Sequence, residues 1–330
     1  MNITQNGTFT CIDFRVFTDW FILSSISFVG IVLNLTCVLI FSKKKLLLTS
    51  KENAMYKYLL VKSICDIFVL LECLTKLLVQ CKTCSFSRTY FICILSLLTE
   101  DYFKQVFRLL SITCQICSMS IVYMRVKNTN TRFFQNHIIQ TVIIILIVSF
   151  ALTFYIYEFF EEDIVKIGEN TYVLTKTDFR KSWLNFYITM LQGIFRDLLC
   201  VFIIFIINVL ILVEFNKIMT KKTSLIRLNT LKREALLSRE NRRQERTPFQ
   251  SDQKIALIIK MVFYCSVQTI CGHLPLFLKY LPTFKENKCF VQISKMLYVV
   301  SISSNFFIYF FFNSIFKSNV YRVFVKIRSQ

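Results

Sequence analysis

Seven apolar runs set the architecture. They lie at 18–42, 54–79, 90–124, 137–157, 183–213, 255–281 and 290–312, and crossing a hydrocarbon core takes about 20 residues as a helix. Spanning segments must satisfy their own backbone polar groups, so apolar runs of this length read as helices. The expected fold class is an all-α membrane protein of seven transmembrane helices. The third run is too long for one straight crossing, and its start near Tyr90–Leu98 reads either as a membrane-surface loop or as an extra helical turn. With 55% hydrophobic residues and 35 Phe among 330, the composition exceeds what a soluble domain of this size requires.

The formal charge of +20 is unevenly placed. Lysines 43, 44, 45, 51 and 57 follow the first run, a dense Lys/Arg stretch fills 214–254, and Lys317, Arg322, Lys326 and Arg328 close the chain. With seven crossings these segments share one side. The positive-inside rule then puts the C-terminus in the cytoplasm and the N-terminus outside, so basic loops report orientation rather than nucleic-acid binding. The segment 158–182 falls outside and is acidic. Asn2-Ile-Thr4 and Asn6-Gly-Thr8 are glycosylation acceptors in the expected outer tail, 1–17. The organisation is thus an extracellular tail, a membrane domain at 18–312 containing the basic loop 214–254, and a cytoplasmic stretch at 313–330. In that last stretch Phe316, Val320, Phe324 and Ile327 alternate with cations. This is the pattern of an amphipathic helix lying on membrane lipid.

Asp66 stands in the middle of the second run, where a carboxylate costs at least about 2.5 kcal/mol to insert. Such residues mark internal sites or pair with neighbouring helices. Lys104 and Arg108 lie one turn apart in the third run and share a face. With Glu72 and Lys295 they form either an internal ion-pair network or a pocket for a ligand's carboxylate or polar terminus. Of 13 cysteines, Cys11, Cys81, Cys84 and Cys289 fall outside, where disulfides persist; Cys11 with Cys289 is one pairing, and sequence leaves connectivity open. No HExxH motif or clustered metal-ligand set occurs, and the chain has only His137 and His273, so neither a metal site nor an enzyme is expected.

At several positions the chain resembles rhodopsin-like (class A) G-protein-coupled receptors. Asn34 in Gly30-Ile-Val-Leu-Asn34 matches the first-helix asparagine, and Asp66 the second-helix aspartate. Asn305-Phe-Phe-Ile-Tyr309 is similar to the seventh-helix Asn-Pro-x-x-Tyr motif with Phe306 for proline. Cys271-Gly-His-Leu-Pro275 keeps the sixth-helix proline, with His273 in place of tryptophan. Ser120-Ile-Val-Tyr123 resembles the third-helix Asp-Arg-Tyr signature, Val122 standing for the arginine. This register puts Ser111 at the family's sodium-site serine. The stretch Tyr58-LLVKSICD resembles invertebrate receptors of the FMRFamide type.

The resemblance implies a mid-membrane site for an allosteric sodium ion at Asp66, Ser111 and Asn305, with no other cofactor. It implies a ligand pocket at Glu72, Lys104, Arg108, His273 and Lys295, and activation motifs at Asn34, Val122, Tyr123, Pro275 and Tyr309. An extracellular ligand, a neuropeptide, and a heterotrimeric G protein are the implied partners. The family's usual disulfide is missing, since 158–182 holds no Cys. Two other functions fit seven helices. A ligand-gated channel of the chemoreceptor kind has its N-terminus inside. A transporter shows repeated, broken halves, which this chain lacks.

Overall fold

A computed structural model describes residues 17–43, 53–79, 89–127, 136–168, 171–236, 249–285 and 287–328. It is helical almost throughout. In chain order the elements are α1 (Ser24–Phe41), α2 (Asn53–Val79), α3 (Tyr90–Ser96), α4 (Lys104–Val126), α5 (His137–Phe154), β1 (Glu162–Gly168), β2 (Thr171–Lys176), α6 (Trp183–Gly193), α7 (Cys200–Leu236), α8 (Phe249–Leu278), α9 (Lys288–Ser303), α10 (Asn305–Phe312) and α11 (Ser314–Arg328). Stretches of π-helix lead into α1 at Thr18–Leu23, join α3 to α4 at Leu97–Phe103, and join α6 to α7 at Ile194–Leu199.

The helices invert the pattern of a soluble protein. In α1 the buried face is Ser27, Gly30, Asn34, Cys37 and Phe41, at the 3–4 residue spacing of one helical stripe. The opposite face exposes Phe28 (64%) and Leu39 (62%). On α5 Ile138, Ile145, Leu146 and Phe150 all face outward. Large apolar faces outside and polar groups inside are what lipid as solvent demands. Among the described residues six segments are long and apolar enough to cross a membrane: Thr18–Phe41, Tyr90–Val126, Ile138–Phe160, Trp183–Lys221, Ile255–Leu278 and Lys288–Phe312. The expected second crossing, α2, has the length, but Lys62, Asp66 and Glu72 lower its apolar character.

The bundle is a ring. α1 packs on α2, α2 on α4, α4 on α7, α7 on α8, α8 on α9, and α9 back on α1, while α5 leans on α4 from outside. Close approach at one seam depends on Gly30. A Cβ there would clash with Ser303 Oγ and meet Leu70 Cδ1 at 2.9 Å. Gly30→Val should therefore cost about 1–3 kcal/mol by overpacking. A thermal unfolding midpoint that is unchanged would show the seam to be more yielding than this geometry allows.

The third crossing is one helical path through its π stretch, so of the two readings of its start the extra helical turn describes it. One feature departs from the sequence expectations. The acidic segment contains an antiparallel hairpin, with Ile164 opposite Leu174 and Val165 opposite Val173. The hairpin docks on α3 through Tyr172, whose ring lies 5.3 Å from that of Tyr90. The fold is thus helical with one small β element rather than purely α.

Candidate functional site: a buried charge centre beneath a cationic cavity

Asp66 is fully buried. Three donors converge on it. Ser111 Oγ on α4 donates to Oδ1 at 2.6 Å, and Asn305 Nδ2 at the start of α10 donates to Oδ2 at 2.8 Å. The third was not expected from the sequence: Lys62, one turn earlier on α2, places its ammonium 2.7 Å from Oδ2 and is itself 5% exposed. A buried carboxylate needs a counter-charge and hydrogen bonds to persist, and this one has both from its own chain.

That geometry bears on the sodium ion implied by the resemblance. Both carboxylate oxygens already accept hydrogen bonds, and Lys62 supplies one full positive charge. A second cation beside the ammonium would face repulsion with no further carboxylate at the centre to offset it. The residues present do not fit a separate sodium ion.

Around this centre a polar seam ties α1, α8, α9 and α10. Asn34 Nδ2 donates to the carbonyls of Gly30 at 2.9 Å and Ile302 at 3.2 Å. Gln268 Nε2 reaches Ser304 Oγ at 2.9 Å and Asn305 Oδ1 at 3.3 Å. α9 ends at Ser303, and Ser304 separates it from α10. Here Ser304 Oγ bonds back to the Val300 carbonyl at 2.7 Å, a local competition of the kind that bends helices.

On the side of the N-terminus, above Asp66, a cavity of about 690 Å³, its open mouth included, lies between α1, α2, α4, α8 and α9. Of the expected pocket residues, Glu72, Lys104, Arg108 and Lys295 line it. Lys104 pairs with Glu72 at 2.5 Å, so that part of the ion-pair reading describes the structure. Arg108 instead reaches Asp197 Oδ1 at 3.4 Å, and its guanidinium covers the Tyr298 ring at 4.7 Å. Lys279, which the sequence reading passed over, also lines the wall.

His273 is not part of that wall. It sits in a buried cluster organised by Asp197, with Nδ1 2.8 Å from Oδ1. Arg196 Nη2 donates to Asp197 Oδ2 at 2.6 Å and to Tyr280 Oη at 3.2 Å. Arg196 and Asp197 fall within the π stretch Ile194–Leu199, and both are buried. Such stretches recur at functional sites.

Toward the opposite end, Val122 is buried in the main apolar core, and Tyr123 packs partly against it. Pro275 lies inside α8. Tyr309 is buried, 5.4 Å from the Phe41 ring and 5.8 Å from Phe316. Phe316 N donates to Asn313 Oδ1 at 3.0 Å, fixing the start of α11. Asn2, Asn6 and Cys11 lie outside the described residues. Cys289 is disulfide-bonded, and its partner is none of the nine free cysteines among the described residues. The described residues hold no metal-binding group of His, Cys, Asp or Glu.

Comparison with protein-family models finds no match, and comparison with curated proteins finds none either.

Proposed function

We propose that this chain is a seven-helix receptor of the rhodopsin-like kind, with α2 as the seventh crossing and the N-terminus outside. It binds an extracellular ligand in the cavity above Asp66 and signals through a heterotrimeric G protein. The observation that carries the reading is the meeting of Asp66, Ser111 and Asn305. Three residues far apart in sequence were matched by motif register, and their side chains lie within 2.8 Å of one carboxylate. The mechanism is a population shift between two helix packings, biased by ligand at one end and by the G protein at the other.

Two measurements test this. Expression with promiscuous G proteins and a neuropeptide library should yield a ligand-dependent second-messenger signal. Silence in that assay, together with a ligand-gated current, would favour the channel reading. Orientation is checked separately. Asn2→Gln with Asn6→Gln should abolish a glycosidase-sensitive mobility shift; an unmodified protein with a cytoplasmic N-terminal tag would overturn the topology.

A further inference from the structure

Four basic side chains line the cavity, Lys104, Arg108, Lys279 and Lys295, against two carboxylates, Asp19 and Glu72. Lys104 is matched by Glu72. Behind the wall, one carboxylate, Asp197, faces both Arg108 and Arg196. Among the described residues no carboxylate pairs with Lys279, whose ammonium lies 4.9 Å from the centre of the Tyr280 ring. A part-buried cation without a counter-charge is costly. Two further donors are unpaired, one a guanidinium N–H and one a hydroxyl. Arg108 is 2% exposed and its Nε has no hydrogen-bond partner; the Tyr298 hydroxyl, also buried, has none. Both residues line the cavity. Buried donors are nearly always paired, so unpaired donors on residues that line a cavity mark where an acceptor belongs. The remaining wall joins the apolar Leu23, Val69, Cys73, Leu276 and Val299 to two charged side chains, Asp19 and Lys295.

We propose that this cavity is a site for a carboxylate carried on an apolar body, its anion held by Lys279, Arg108 Nε–H and the Tyr298 hydroxyl. This rests on the receptor reading for its physiological meaning but not for the binding itself. The anion supplies the missing counter-charge and takes the open donors, and the body covers the aliphatic wall. A free organic acid and a peptide's free C-terminus share this chemistry. A monoamine does not, and an amidated peptide end lacks the charge.

The test uses the full-length protein in detergent micelles. Its thermal midpoint is followed against 3-phenylpropanoate, as a free acid, and N-acetylphenylalanine, as a peptide C-terminus, each beside its primary amide. At least one acid should raise the midpoint by about 3 °C at saturation, and its amide should not. Lys279→Gln should weaken the apparent Kd about tenfold or more. Lys217→Gln, which removes an exposed lysine on α7 paired with Glu214, should leave it unchanged. A response to the first acid alone assigns a small organic acid, and to the second alone a peptide terminus. No response to either acid, equal response to the amides, retention in Lys279→Gln, or equal loss in Lys217→Gln overturns the proposal. Acid binding without any second-messenger output leaves this site standing and removes the receptor reading. A ligand-driven signal with no acid preference does the reverse.

Discussion

Lys62→Met should destabilise the protein by about 3–5 kcal/mol, the cost of leaving a buried ion without its partner. Asp66 would keep Ser111 and Asn305 as neutral donors but would lose the positive charge of Lys62 beside it. Asp66→Asn alone should also destabilise, because it strands the ammonium. The double variant should recover most of the loss, since it removes the pair as a unit. Thermal midpoints of the four proteins decide the matter: losses that simply add would mean that the two groups do not act together. Exchanging sodium for choline should leave the parent midpoint unchanged. A sodium-dependent rise would mean that the centre accepts an ion despite Lys62.

Asp197→Asn should be more damaging still. Asp197 accepts from Arg108, from Arg196 at 3.0 and 2.6 Å, and from His273. Without its charge two guanidiniums remain in the interior, each costing about as much as the stranded ion at Asp66. Little mature protein should reach the cell surface. Asp197→Glu keeps the charge at a changed reach and should fall between. An Asn variant with the parent's surface level and midpoint would show that water, not Asp197, compensates the arginines.

The legible part of this structure was periodic or tied to a motif. Apolar run length located six segments able to cross a membrane, and motif register brought together Asp66, Ser111 and Asn305 from three helices. The same register missed Lys62, although it stands in the very stretch that was compared. The overlooked signal was local: a Lys four residues before an Asp on one helix face is a pairing distance. Arg196 and Asp197 were harder to interpret. Neighbouring residues on a regular α-helix point about 100° apart, so both facing inward is not expected. The π stretch that holds them has no composition of its own. The hairpin at 162–176 was hidden by its acidic residues, which drew attention to charge rather than to the β-branched pairs Ile164, Val165 and Val173.

The break at Ser304 has a mechanical consequence. A proline hinge is permanent, because the ring removes an N–H and blocks the preceding turn. Here position 306 is Phe, and every amide needed for an unbroken helix from Lys288 to Phe312 is present. The joint is tied by small hydroxyl and amide groups, Ser304 Oγ on the Val300 carbonyl and Gln268 Nε2 on Ser304 Oγ, so it works as a clasp rather than a weld. Asn305 is the next residue along. Its amide donates to Asp66, so any movement of this joint reaches the buried carboxylate directly.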